Sequence, residues 1–261
     1  MLRADHARCL RAIHATRLGA MPASMLARMT RPLHERYPVG KTTEQCMTYI
    51  VGMVSQKGGV GKSTLARLMA REFVAGGLSA KIADLDTQQQ TATHWAGRRA
   101  EGGVEPEVQV QSFASVRSAL ADAPRFDALI LDGKPNASDQ TVEIARASDL
   151  VVIPTGQTVD DLHPGVVLAH ALRKQGVAGH RIAFALFKTT ASGREAQAAR
   201  AYLEEAGYAV LDGEVPVSTA YGQASDAGRA ITETAFRSLN TRAATLAQSV
   251  IDRMAELAEA A

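Results

Sequence analysis

From residue 48 onward the chain alternates short apolar runs with longer amphipathic stretches. Runs at 49–54, 80–85, 108–110, 128–131, 150–153, 182–187 and 209–211 are rich in aliphatic residues and have strand length. Between and after them, apolar positions recur at helical spacing over 62–75, 90–100, 114–121, 138–147, 160–175, 193–206 and 232–258. Strands this apolar, each followed by a helix, predict an α/β fold: a mostly parallel, doubly wound sheet with helices on both faces. No internal repeat or low-complexity linker breaks the alternation, so residues 47–261 are expected to form one domain. In such sheets ligands sit beyond the carboxyl ends of the strands. Candidate chemistry is therefore sought just after each apolar run.

The first 46 residues follow no such pattern. Short helical spacings (Leu2, Cys9, Ile13; then Met25, Leu26, Met29) are interrupted by Pro22, Pro32 and Pro38. Seven Arg and one Lys stand here against Asp5, Glu35 and Glu44, which suits a transit peptide or a basic arm touching nucleic acid. The reading adopted is a poorly ordered basic extension, because nothing in it locks onto the fold that follows. Met47, immediately before the first strand, would make a natural start.

Charge and cysteines narrow the classes. The formal net charge of +2 hides an asymmetry, since after residue 46 acidic residues outnumber basic ones. The overall balance therefore does not argue for a nucleic-acid-binding core, and any DNA contact needs a local patch. No run of about 18 apolar residues is present, so no spanning helix is expected. The two cysteines, Cys9 and Cys46, exclude a disulfide scaffold, a CxxC metal site and a cysteine-ligated cluster beyond residue 46. A reducing cytosol is implied.

The densest chemical signal is "VSQKGGVGKSTLA", residues 54–66, between the first strand and a helix. Its glycines allow backbone conformations that turn successive N–H groups toward phosphate oxygens, and the helix N-terminus adds its positive dipole end. Gly58, Gly59, Val60, Gly61 and Thr64 form the cradle, Lys62 reaches the β- and γ-phosphates, and the Ser63 hydroxyl suits a magnesium ion. The common G-x4-G-K-[ST] spacing would place glycine at Gln56. The chain fits K-G-G-x-G-K-[ST] instead, with a second lysine, Lys57.

This loop resembles the deviant Walker A motif of the ParA/MinD group of ATPases, which also includes the nitrogenase iron protein. The resemblance implies that ATP and magnesium bind here, and that Lys57 reaches across a dimer interface to the partner's nucleotide. A second cation there would neutralise charge developing in phosphoryl transfer. In "IADLDTQQQ" Asp86 matches the aspartate that positions the attacking water close to the metal. Asp84 either supports the metal's outer shell or caps the next helix. In "DALILD" Asp132 resembles the Walker B aspartate near magnesium. The switch that follows carries Lys134 where the family pattern does not, which leaves either a phosphate contact or a solvent-facing partner contact. By position, Lys188, Thr189, Pro216 and Val217 fall where relatives contact the base, although Thr189 would equally serve as a helix cap.

Within this group, cluster carriers require cysteines that the chain lacks after Cys46. Membrane-binding MinD-like members end in a basic amphipathic helix. The last helix here has a stripe of Leu239, Ala243, Leu246, Val250, Met254 and Leu257 and ends in "ELAEAA", which reads as core packing. The resemblance then implies a ParA-type ATPase: a homodimer on ATP that binds DNA without sequence preference, stimulated by a ParB-like or other adaptor protein. Its location would be the bacterial cytoplasm, on the nucleoid, without membrane binding. Arg229, Arg237 and Arg242 are the candidate DNA contacts, with Lys188 and Arg194 behind them. A nucleotide-switch scaffold positioning another cargo, or assisting conjugative DNA transfer, demands the same fold and loop.

Overall fold

The computed structural model describes residues 48–135, 138–190 and 193–260; the extension read at residues 1–46 lies outside them. Seven strands line up as β3-β2-β4-β1-β5-β6-β7, with every pair parallel. They are β1 (Tyr49–Met53), β2 (Ala80–Asp84), β3 (Gln109–Ser112), β4 (Ala128–Asp132), β5 (Leu150–Thr155), β6 (Ile182–Thr189) and β7 (Ala209–Val210). An eighth, β8 (Val215–Pro216), pairs with the far end of β6. The helices are α1 (Lys62–Ala75), α2 (Thr91–Glu101), α3 (Val116–Asp122), α4 (Asp139–Ala147), α5 (Val159–Lys174), α6 (Gly193–Glu205), α7 (Thr219–Asp226) and α8 (Arg237–Glu259).

Alternation along the strands sorts the side chains into two cores. On β6, Ala183, Ala185 and Phe187 join one cluster with α1 and α8, whereas Ile182, Phe184 and Leu186 join the other with α5 and α6. Both faces are covered, which is why these strands read as continuous apolar runs. The α8 stripe is core: Ala243, Leu246, Val250 and Met254 are buried, with Leu239 and Leu257 packed against them. Burying each of the larger ones contributes about 1.5–3 kcal/mol.

A buried ionic clamp fixes the segment before α8. Arg99, 2% exposed, donates to the carbonyls of Pro106 and Gly228 and pairs with Glu233 at 2.8 Å. Glu233 also pairs with Arg71 of α1, and the Thr232 hydroxyl donates to Glu72 of α1. Burial alone would raise the Glu233 pKa, but the bonds from Arg99 and from the Ala230 N–H outweigh it and leave the carboxyl below its usual value.

Three elements depart from the sequence reading. The helix expected over 232–258 begins only at Arg237, because Asn240 Oδ1 accepts from Thr234 N at 3.0 Å and holds the preceding turn out of the helix. The short α7 and β8 were not foreseen.

The register positions the chemistry. Asp132 is level with Met53 on one side and Asp84 on the other, so three central strands end together. The chain beyond β1 then rises into the glycine loop at that edge. Pro154 lies past the last β1–β5 pair, where its missing N–H breaks no bond of that ladder.

Candidate functional site

A cleft of about 630 Å³ opens over these strand ends, between the loop, the Asp86 turn, Pro135, Lys188 and α7. Gly61 has φ +112°, and a Cβ there would lie 2.6 Å from the Phe187 ring, so only glycine fits. Gly58, Gly59, Lys62, Ser63 and Thr64 line the cleft with it. Val60 is buried and does not line it, leaving only its backbone to offer.

Lys62, the first residue of α1, is buried, and its Nζ donates to the Lys57 carbonyl at 3.3 Å. Burial pulls its ammonium pKa down, opposed by the charges of Asp132 and Asp86. Asp132 is 2% exposed, and its Oδ1 is buried without a partner. Burial pushes this carboxyl up to about 7, against the favourable pull of the Ser63 hydroxyl. An orphaned carboxylate oxygen beside a serine hydroxyl is the donor set a hard cation takes when phosphate and water supply the rest. No group of three or more His, Cys, Asp or Glu that could hold a metal occurs among the described residues.

The two aspartates after β2 divide their tasks. Asp84 Oδ2 accepts from Ala92 N, Thr93 N and Thr93 Oγ1 at 3.0–3.1 Å and so caps α2. Of the two roles expected for it, the structure gives capping. Asp86 accepts from Gln88 N and Gln89 N through Oδ1 alone and borders the cleft. Its Oδ2 takes part in none of the described hydrogen bonds.

Lys57 does not point at the phosphate site of its own chain. Its Nζ pairs with Asp161 Oδ1 at 2.8 Å, in the first turn of α5, and the two side chains are 41% and 30% exposed. The Lys57 bond lowers the Asp161 pKa more than burial raises it. Lys134 is exposed and is not part of the cleft wall, which favours the solvent-facing alternative. Lys188 and Pro216 border the cleft; Thr189 lies beneath, 1% exposed with Oγ1 unpartnered, and caps no helix.

Among the wall residues that sequence reasoning missed, Arg67 is the charged one. Arg67, 5% exposed, donates to Ser225 Oγ and Thr91 O at 2.9 Å each and lines the cleft. Burial lowers it to about 10, so it stays charged at neutral pH. Its only sequence signal was its place one turn after Thr64 on the same helix face.

Arg229 and Arg237 are exposed and form no ion pair among the described residues. Arg242 is tied to Glu214 at 3.0 Å. Arg229 lines a second, smaller cavity of about 310 Å³ with Phe236, the residue before Arg237. Arg194 is exposed in α6.

Residues 51–231 match the family described as the CobQ/CobB/MinD/ParA nucleotide binding domain. Among curated proteins, none matches the chain. Solved structures share its fold at low identity. The septum site-determining protein MinD of Pyrococcus horikoshii, complexed with Mg-ADP, gives a TM-score of 0.64 at 16% identity over 78% of this chain and 96% of that one. The ATP complex of a Cyanothece McdA variant gives 0.60 at 17%, over 78% and 96%. A putative plasmid partition protein of Borrelia burgdorferi, bound to AMPPNP, gives 0.60 at 14%, over 78% and 98%.

Proposed function

We propose that this chain, which belongs to the CobQ/CobB/MinD/ParA nucleotide-binding domain family, is an ATPase that dimerises on ATP and positions DNA cargo under the control of an adaptor protein. The observation that carries the ATPase reading is the unpartnered Asp132 Oδ1 beside Ser63 at the base of a glycine cradle that also holds Lys62. Structures of the same fold carry Mg-ADP, ATP and AMPPNP, which supports the choice of nucleotide.

Ser63, Asp132 and Asp86 would hold a magnesium ion, which would neutralise phosphate charge. The chain's own groups do the rest. The loop N–H groups and Lys62 bind and orient the β- and γ-phosphates, and Arg67 braces the α2 and α7 walls around them. Asp86, with one oxygen committed to its own turn, uses the other to orient water for attack. Lys57 leaves Asp161 and completes the site of a second subunit. Turnover is slow until an adaptor binds. Arg229 and Arg237, doubled by dimerisation, hold DNA through phosphate contacts, with Arg242 adding less because Glu214 engages it.

Burial of the α8 stripe supports a DNA rather than a membrane surface, because no apolar face of that helix is left for lipid. No helix among the described residues is long and apolar enough to cross a membrane. The deciding measurement is ATP hydrolysis alone, with DNA, and with DNA plus candidate adaptors, alongside DNA retention with ATP and ADP. Retention with ATP only, and turnover raised by DNA plus adaptor, is expected. Turnover without any nucleotide-dependent DNA retention would overturn the DNA reading and leave the scaffold alternative.

A further inference from the structure

At Lys188 the strand β6 breaks its own geometry. Phe187 pairs with Val215 and Thr189 with Pro216, so two steps along β6 match one along β8. Lys188 is the extra residue of that bulge. Its φ is +54°, a left-handed conformation that side chains other than glycine adopt at a cost. Successive residues of a regular strand face opposite ways, and a bulge re-aims them. Here Phe187 and Lys188, neighbours on one strand, both border the cleft.

Both meet the phosphate loop. Phe187 packs under Gly61, where a Cβ would lie 2.6 Å from its ring. Lys188 reaches Gly59: a Cβ there would lie 3.9 Å from Lys188 Nζ and, adjacent residues aside, within 4 Å of no other described atom. Among the described residues Lys188 forms no ion pair. The loop's own lysines leave a task for it. Lys62 is buried with its Nζ at the Lys57 carbonyl, and Lys57 is drawn off to Asp161 at 2.8 Å. A nucleotide brings several negative charges to such a cradle, and charge-assisted bonds from further ammonium groups hold them.

We propose that Lys188 is a nucleotide-binding residue: an ammonium delivered from the end of β6 that contacts the phosphates lying over Gly59, within a single chain. The inference rests on the nucleotide reading proposed above and needs no dimer. It also gives a reason for the bulge and the strained backbone, since strain of this kind persists where the surroundings over-determine a residue's placement.

The test is calorimetric titration of the full chain with ADP, with inorganic tripolyphosphate as the competitor. Lys188→Asn removes the charge, and because asparagine tolerates the left-handed backbone, Tm is expected to hold. Its ADP affinity is expected to fall about tenfold, the scale of one charge-assisted hydrogen bond. Tripolyphosphate affinity is expected to fall by the same factor. Lys188→Arg keeps the charge and is expected to recover most of both. An unchanged ADP affinity in Lys188→Asn would overturn the proposal. So would a loss confined to ADP, which would make Lys188 a contact to base or ribose. A loss in Lys188→Arg as large as in Lys188→Asn would also overturn it, because shape rather than charge would then matter. Failure of the nucleotide reading looks different: a wild-type chain that binds neither ADP nor tripolyphosphate overturns that reading, and this inference with it.

Discussion

The phosphate loop and the arginine surface at the start of α8 are both cationic, yet they are built on opposite terms. In the first, Lys62 is buried, tethered to a loop carbonyl and set against buried Asp132. In the second, Arg229 and Arg237 extend into solvent, and Arg242 leans on Glu214. Stereochemistry fixes where each loop atom goes, so one substitution removes a function. Net charge is all that nonspecific phosphate binding requires, so single changes there are diluted.

The largest test of that contrast is Lys62→Ala, which should lower ATP turnover by roughly 10²–10³-fold, the scale of losing one preorganised charge at a reacting phosphate. A loss no larger than that from an exposed arginine would erase the distinction. Next comes the pH dependence of the nucleotide-free chain. Asp132 is raised from its ordinary value to about 7, so between about pH 4 and 7 the folded chain holds a proton that the unfolded chain has released. Stability should therefore fall as pH rises through that window, by about 2–4 kcal/mol. Urea midpoints at pH 5 and 8 measure it, and Asp132→Asn should flatten the difference.

A smaller effect is expected at the arginine surface. Arg229→Glu with Arg237→Glu should reduce the slope of log K against log salt for ATP-dependent DNA retention by about 0.9 for each phosphate left unneutralised. Arg242→Ala should change retention less than either, because Glu214 already engages it; a larger effect would move the surface toward the middle of α8. Smallest of all, Asp161→Asn should free Lys57 and speed AMPPNP-dependent dimerisation about threefold, the scale of one partly exposed ion pair. Analytical ultracentrifugation at limiting AMPPNP would show the matching shift in dimer fraction.

The same contrast explains what the sequence made legible. The start of α1 at Lys62 and the carboxylate at the end of β4 were visible because glycine spacing and a strand-end acid are local chemical demands. The parallel sheet was visible because burial on both faces leaves an unbroken apolar run. Which of its two roles Asp84 takes was not legible, because the deciding facts are the N–H groups of Ala92 and Thr93, which only the fold places. Helix α7 carries Gly222 and few large apolar residues, and β8 is two residues ending in proline, so neither shows a period. The Lys57–Asp161 pair spans 104 positions and answers to no local pattern.

The ionic clamp before α8 has a mechanical meaning. Glu233 and Thr232 grip Arg71 and Glu72 on α1, the helix that begins at Lys62. If α8 is the tether to DNA, a load pulling on that tether passes through this grip as well as through α8's own packing. It then reaches the helix whose first residue, Lys62, stands at the phosphate loop.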